Sequence, residues 1–316
     1  MSLDNDSKKW LKINFGDSVK FDESMSRHTS LHVGGPADAY VTPERLENMV
    51  MLVKWARQKE LPYLVIGDGT NLLVKDNGIT GIVIVVTKCL KTITQSDIAK
   101  DTVTVKVMAG AKMRSLCSYA MERGFGGMNF AFGIPGTVGG GIMMNAGSTY
   151  GSVESVLDSI KVLLPTGQTK KISKDKLNFS YRKLSWGKEM DEISKEQPII
   201  LEGCFSLYPS DPQKLKEDAT IILKTRKKTQ PIGPFSAGCF FRNPLSGKTA
   251  GELIELAGLK GKKIGEAEVS SKHANFIINT GKASAAEILA LSEIVQEKVS
   301  KMFNIDLQKE VKIVGK

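Results

Sequence analysis

The chain has 316 residues, enough for two or three domains at roughly 100–200 residues each. Hydrophobic residues at 41% and charged residues at 25% are ordinary for a globular protein and exclude a disordered or collagen-like chain. Lysine and arginine number 44 against 34 acids, and the formal charge of +10 favours anionic ligands. Aromatics are only 7% and are not interleaved with the basic clusters at 170–176, 224–228 and 260–263, so no nucleic-acid partner is expected. No apolar run approaches the roughly 20 residues of a membrane-spanning helix. The N-terminus lacks the basic start and apolar centre of a signal peptide. A cytoplasmic protein with no membrane partner is the expectation.

Residues 44–59 read as a helix with an apolar stripe of Leu46, Met49, Val50, Val53 and Trp55–Ala56. Strands are expected at 62–66, 81–86 and 102–108, the last alternating Val103, Val105 and Val107 against polar neighbours. A helix follows at 111–123, stopped by Gly124. Residues 160–164 and 168–172 read as a hairpin, and 199–207 as a further strand. A polar helix opens at Ser210-Asp211-Pro212 and runs to about Thr229, with proline where the first turn tolerates it. Gln230-Pro231-Ile232-Gly233-Pro234 is a stiff turn and the best domain boundary. Helix (249–257), strand (275–279), helix (284–303) and strand (310–314) complete the chain, with Ser284 and Glu287 forming a capping box. The pattern is α+β in at least two domains.

The four cysteines, Cys89, Cys117, Cys204 and Cys239, form no Cys-x-x-Cys pair, so neither a zinc site nor a disulfide framework is suggested. The first three sit in apolar patterns and read as small core residues. Cys239 lies instead among Gly238, Phe240 and Phe241. His28 and His32 have helical ligand spacing, but Gly34-Gly35-Pro36 argues against a helix there, and no metal site is expected.

Two glycine-rich loops carry the chemistry. Gly67-Asp68-Gly69-Thr70-Asn71 follows a strand, and glycine lets backbone N–H groups approach a phosphate. Leu72 stands where a Rossmann fingerprint needs its third glycine, which rules out that motif. Gly133-Ile134-Pro135-Gly136-Thr137-Val138-Gly139-Gly140-Gly141 holds five glycines in nine residues, too many for a regular element at about 1 kcal/mol each. It reads as a ligand loop. Gly247-Lys248-Thr249 resembles the end of a Walker A loop, but Arg242 occupies the place of the first glycine and Asn243-Pro244 interrupts it.

With these loops in view the chain resembles the UDP-N-acetylenolpyruvoylglucosamine reductase family of bacterial peptidoglycan synthesis. The matching segments are Ser26-Arg27-His28-Thr29, Val33-Gly34-Gly35-Pro36-Ala37, residues 67–74 and 133–147, and Phe179-Ser180-Tyr181-Arg182. Residues 236–244, 257–261, 269–276 and Glu310-Val311 continue in family order.

The resemblance implies an α+β fold: a two-lobed FAD-binding domain of the vanillyl-alcohol-oxidase-like type over residues 1–229, with lobes at about 1–88 and 89–229. A smaller α+β substrate domain would then occupy 230–316. It implies FAD as cofactor, NADPH as hydride donor, and reduction of an enolpyruvyl ether on a UDP-amino sugar to UDP-N-acetylmuramate, by a cytoplasmic monomer serving cell-wall growth and division. Flavin contacts are implied for Gly67, Asp68, Gly69, Thr70, Asn71, Gly133, Ile134, Pro135, Gly136, Thr137, Gly139, Gly140, Asn145, Ala146 and Gly147. The implied catalytic residues are Arg182, for the substrate carboxylate; Glu310, to polarise the developing enol; and Cys239, as proton donor where many relatives have serine.

A thiol with its ordinary pKa near 8.5 can donate at neutral pH. Tyr181, Arg226, Asn243 and Lys272 are implied substrate contacts. Read alone, Glu310 would be a strand-start carboxylate in solvent. Leu184 departs from relatives, which often have serine there, and puts the local support of Arg182 in question. Another FAD oxidoreductase of this cofactor fold, acting on a small alcohol or hydroxy acid, would keep the glycine loops without needing Arg182, Cys239 and Glu310 together. A non-catalytic nucleotide or nucleic-acid binder would use only the basic surface.

Overall fold

The computed structural model describes residues 3–99, 101–164, 166–186, 198–233, 235–245 and 247–316. Three sheets organise them. The first orders its strands Val19–Ser24, Pro36–Val41, Ile79–Val85 and Tyr63–Ile66. Its first pair is antiparallel and the rest parallel. Helix Leu46–Gln58 is the crossover, burying Met49, Leu52, Val53, Trp55 and Ala56 against one face. Each such large side chain taken from water is worth about 2 kcal/mol. An N-terminal helix, Asn5–Phe15, packs beside it through stacked rings of Trp10 and Trp55, 3.9 Å apart. The sequence pattern did not expose this helix, nor the strands at 19–24 and 36–41. Their charged and polar residues blur the apolar period.

The second sheet runs Thr169–Ser173, Leu157–Leu163, Ile199–Pro209, Thr102–Met108, Ile93–Ala99, antiparallel throughout. The alternation at 102–108 is real: Val103, Val105 and Val107 are buried. Helix Met113–Glu122 buries Met113, Leu116, Cys117 and Ala120. Helix Pro212–Thr229 opens on Asp211, whose side chain accepts from Gln213 N–H, and buries Leu215, Ala219 and Ile222.

The third sheet, Phe235–Ser236, Ile277–Asn279, Ala267–Val269, Lys263–Ile264, is covered by helices Ala250–Leu256 and Ala285–Phe303. Ile288, Leu291, Val295 and Val299 fill its core, and the Ser284–Glu287 capping box forms. Thr249 and Glu252 make a second box that sequence reading overlooked. The last strand is shorter than expected: Lys312–Val314 pairs in parallel with Leu72–Val74 in the first lobe. Leu31, Val33 and Leu73 also join this third core. Asp76 accepts from the N–H groups of Ala285 and Ala286 at 2.8 and 2.9 Å, fastening the long helix to the first lobe. These contacts bring Glu310, at the end of the chain, beside residues of both lobes.

Among the described residues no helix is long and apolar enough to cross a membrane, and no cluster of His, Cys, Asp and Glu could hold a metal. His28 stacks on Tyr40 and donates to Glu23 at 2.9 Å, whereas His32 stacks on Phe235.

Candidate active site

The first glycine loop leaves strand Tyr63–Ile66 at its carboxyl end, where open α/β sheets hold ligands. It packs directly on the second. A methyl group at Gly67 would collide with Thr137, and one at Gly136 would lie 2.6 Å from the Thr70 hydroxyl. Gly69, at φ +63°, meets the backbone of His28, and its carbonyl accepts from Ser30 N–H at 3.2 Å. Lys112 pairs with Asp68. The two loops and residues 28–30 are therefore one cradle.

Its donors fit a diphosphate cofactor. The backbone N–H groups of Asp68, Gly69 and Thr70 meet no acceptor among the described residues, and Gly69 is buried. Buried amides need a partner, and successive free amides at a glycine turn are an anion nest.

The second loop corrects one expectation. Residues 138–143 are helical, with Thr137 as N-cap accepting from Gly140 N–H at 3.4 Å. Its glycines have different tasks. Gly139 donates to the Ala109 carbonyl at 2.8 Å, and a methyl group there would stand 2.8 Å from the Ala109 side chain. Gly139 is a packing glycine. Gly140 is exposed, with only the Thr137 hydroxyl 3.5 Å from where its Cβ would be. Close packing therefore outweighs helix propensity.

Asn145, Ala146 and Gly147 continue from this helix towards Ser180 and Arg182. Asn145 is buried in a left-handed conformation, φ +38°. Its Nδ2 donates to the Ser180 carbonyl and to Glu154, each at 3.2 Å, and its Oδ1 accepts from Glu154 N–H at 3.1 Å. Ala146 N–H donates to the Gly141 carbonyl at 2.8 Å. The Gly147 carbonyl accepts from Arg182 Nη2 at 2.9 Å.

Arg182 occupies the two-residue turn between strands Leu177–Ser180 and Lys183–Trp186, at φ +58°. A left-handed L-residue costs roughly 1 kcal/mol, and such strain collects at functional sites. The turn aims the guanidinium inward, where Nε donates to Glu310 Oε1 at 3.1 Å. Leu184, the departure from relatives, is buried in the core beneath this hairpin. Packing thus supports the turn at that position.

The Glu310 side chain is only 16% exposed, so it is not a solvent carboxylate. Burial pushes its pKa up, opposed by the charges of Arg182 and Arg242. Cys239 is half-buried, and burial pushes its thiol up to about 11, helped by Glu310 and opposed by Arg182 and Arg226. The ordinary thiol value assumed from sequence is therefore too low. Arg226 is half-buried and lies against Gly133, where a methyl group would stand 2.8 Å from its Nε; burial lowers its pKa. Arg182, Cys239, Glu310 and Arg226 form one electrostatic unit.

Of the remaining expected substrate residues only Tyr181 lies against this unit, while the contacts of Lys272 and Asn243 are to neighbouring segments. Lys272 Nζ donates to the Lys227 carbonyl at 2.8 Å, one residue from Arg226. Tyr181 is exposed, its ring 4.9 Å from the Arg182 guanidinium carbon. Asn243 is exposed, its Oδ1 accepting from Ala250 N–H at 3.0 Å at the start of helix Ala250–Leu256. Asn71 Nδ2 donates to the Glu310 backbone carbonyl at 3.2 Å and so joins the cradle to the segment that carries the Glu310 carboxylate. Sequence reading missed Arg242, whose buried Nε has no hydrogen-bond partner among the described residues and whose charge acts on Glu310. Its place between Phe241 and Asn243 was the available signal. Lys112 was missed too, because nothing local marks its pairing with Asp68.

Residues 37–173 match the family model described as FAD binding domain, and residues 230–314 match that of the UDP-N-acetylenolpyruvoylglucosamine reductase C-terminal domain. A UDP-N-acetylenolpyruvoylglucosamine reductase from Desulfosudis oleivorans is 43% identical over 315 residues, 99% of this chain and 100% of the relative. One from Clostridium botulinum is 42% identical over 299 residues, covering 95% and 93% of the two chains. The crystal structure of the Thermus caldophilus UDP-N-acetylenolpyruvylglucosamine reductase superposes with a TM-score of 0.75 at 32% identity, over 92% of this chain and 97% of that one. The chain belongs to the UDP-N-acetylenolpyruvoylglucosamine reductase family and carries its two-lobed FAD-binding fold followed by its C-terminal domain.

Proposed function

We propose that this protein reduces the enolpyruvyl ether of UDP-N-acetyl-3-O-(1-carboxyvinyl)-glucosamine to UDP-N-acetylmuramate with NADPH, for peptidoglycan synthesis. The observation that carries the reading is the Arg182–Glu310 pair at 3.1 Å, electrostatically coupled to the Cys239 thiol. FAD, when bound, would supply two-electron chemistry between NADPH and the substrate. Asp68, Gly69 and Thr70, with Gly136, Thr137 and Gly140 of the second loop, would hold its diphosphate.

The chain's own groups handle the charge and the proton. Hydride addition to the vinyl carbon, before the proton arrives, spreads negative charge into the adjoining carboxylate, which fixed donors stabilise more strongly in a water-poor site than in solvent. Arg182 is already oriented by the Gly147 carbonyl, leaving its planar fork suited to a carboxylate. Glu310, with its raised pKa, can hold a proton and donate to the developing enolate oxygen. Cys239 stays a thiol at neutral pH and delivers its proton to the substrate carbon, the sulfur being reprotonated afterwards. Arg226 and Lys272 supply positive charge for the sugar-linked diphosphate, with Asn243 and Tyr181 as further contacts.

We assign residues 1–229 to the cofactor domain and 230–316 to the substrate domain, and a cytoplasmic monomer to the working enzyme. The test is consumption of NADPH, read by absorbance, on adding the enolpyruvyl UDP-sugar, with the product identified by mass spectrometry. Yellow protein that oxidises NADPH without converting the sugar would refute the substrate assignment.

A further inference from the structure

Cys239 and Glu310 come from segments remote in sequence, and one buried side chain secures both. Asn275 is 3% exposed, and its carboxamide faces the Phe241 backbone as a neighbouring strand would. Phe241 N–H donates to Asn275 Oδ1 at 2.9 Å, and Asn275 Nδ2 donates to the Phe241 carbonyl at 2.8 Å. The Asn275 carbonyl also accepts from Phe240 N–H at 2.7 Å. On its other edge the same segment carries Glu310, whose N–H donates to the Phe240 carbonyl at 2.8 Å. Phe241 bridges Lys309, and Arg242 N–H donates to the Gln308 carbonyl at 2.8 Å.

We propose that Asn275 is a positioning residue for the reduction: it fixes Phe240–Phe241 and thereby holds the Cys239 thiol in register with the Glu310 carboxylate. The chemistry requires a carboxamide. One oxygen acceptor and one N–H donor at this spacing satisfy both backbone groups of Phe241. Aspartate would lose the donor, and alanine would leave both buried backbone groups of Phe241 unpaired. Asn145 supports the Arg182 turn by a single bond, its Nδ2 donating to the Ser180 carbonyl at 3.2 Å. Placement of reacting groups is steep in its effect, since a shift of about 1 Å can cost roughly 10²-fold in rate.

This inference rests on the proposed function, so its test has one arm that needs no substrate. Asn275→Asp and Asn275→Ala are made in the full, FAD-loaded chain. Flavin reoxidation by the enolpyruvyl UDP-sugar should slow about 10²-fold, while flavin reduction by NADPH changes less than about threefold. Maleimide labelling followed by peptide mass spectrometry should find Cys239 modified several-fold faster, with the core thiol Cys117 unchanged. Faster labelling in a protein that ignores the sugar would support the brace and refute only the substrate. Parental behaviour in both arms, equal loss in both half-reactions, or failure of both variants to fold would overturn the proposal, the last making Asn275 a folding residue.

Discussion

Arg182 adopts a left-handed backbone, φ +58°, and from that turn its Nε reaches Glu310 Oε1 at 3.1 Å. One residue comes from a hairpin of the second lobe, and the other lies beside the strand that returns to the first. The pair thus joins a hairpin of the middle of the chain to its C-terminal segment.

Lysine at position 182 would keep the charge and lose the planar fork. Arg182→Lys should slow substrate-dependent flavin reoxidation by roughly 10²-fold, the order seen on removing one preorganised donor. NADPH-dependent flavin reduction should be nearly unchanged. Rapid-mixing absorbance separates the two, and equal loss in both would make Arg182 a structural residue.

The pKa of Glu310 is raised from 4.5 in the folded chain, with burial the leading cause. The folded state therefore binds its proton more tightly than the unfolded state. Stability from this group is full below about 4.5 and falls as pH rises through the folded value. Glu310→Gln removes the titration. Urea unfolding from pH 4 to 8 should show the variant gaining on the parent as pH rises; parallel curves would contradict the raised value.

Gly139 and Gly140 should separate packing from cofactor binding. Gly139→Val drives a side chain into Ala109, and overpacking of this kind costs about 1–3 kcal/mol. It should lower the melting temperature. Gly140→Val meets almost nothing in the protein and should keep the parental fold while losing FAD, read as the ratio of flavin to protein absorbance. A fully yellow Gly140→Val would remove Gly140 from the cofactor cradle.

Asp76→Ala removes both side-chain acceptors from the start of helix Ala285–Phe303. Loss of such a cap costs about 1 kcal/mol. Denaturant unfolding should show that loss, and an unchanged midpoint would mean the two bonds contribute no net stability.

Local chemistry made part of this legible beforehand. The apolar stripe of Leu46–Gln58, the valine alternation at 102–108 and the Ser284 capping box each follow from nearest neighbours, and each formed. The glycine loops were legible as loops, but the helix at 138–143 was not. Its stability comes from Ala109 and Met113, which pack against it from other segments. Arg182, Cys239 and Glu310 carried no local signal of proximity, and the family motif alone suggested grouping them. Asn275 lay within a quoted motif, yet its role depends on Phe241, brought alongside only by folding. The Cys239 pKa is likewise set by burial and by Glu310, neither visible from its neighbours in sequence.

Cys239 offers the most direct test of the proposed chemistry. With its thiol near 11, the group remains protonated at neutral pH and is a sluggish target for alkylation, yet it can deliver a proton to substrate. The measurement is single-turnover reoxidation of NADPH-reduced flavin by the enolpyruvyl UDP-sugar in the parent, Cys239→Ser and Cys239→Ala. The alanine variant should slow by about 10²–10⁴-fold, the usual loss for a positioned proton donor, while the serine variant retains substantial rate. All three should accept electrons from NADPH alike. Parental reoxidation by Cys239→Ala would contradict the assignment, leaving Cys239 as packing and the proton to another group.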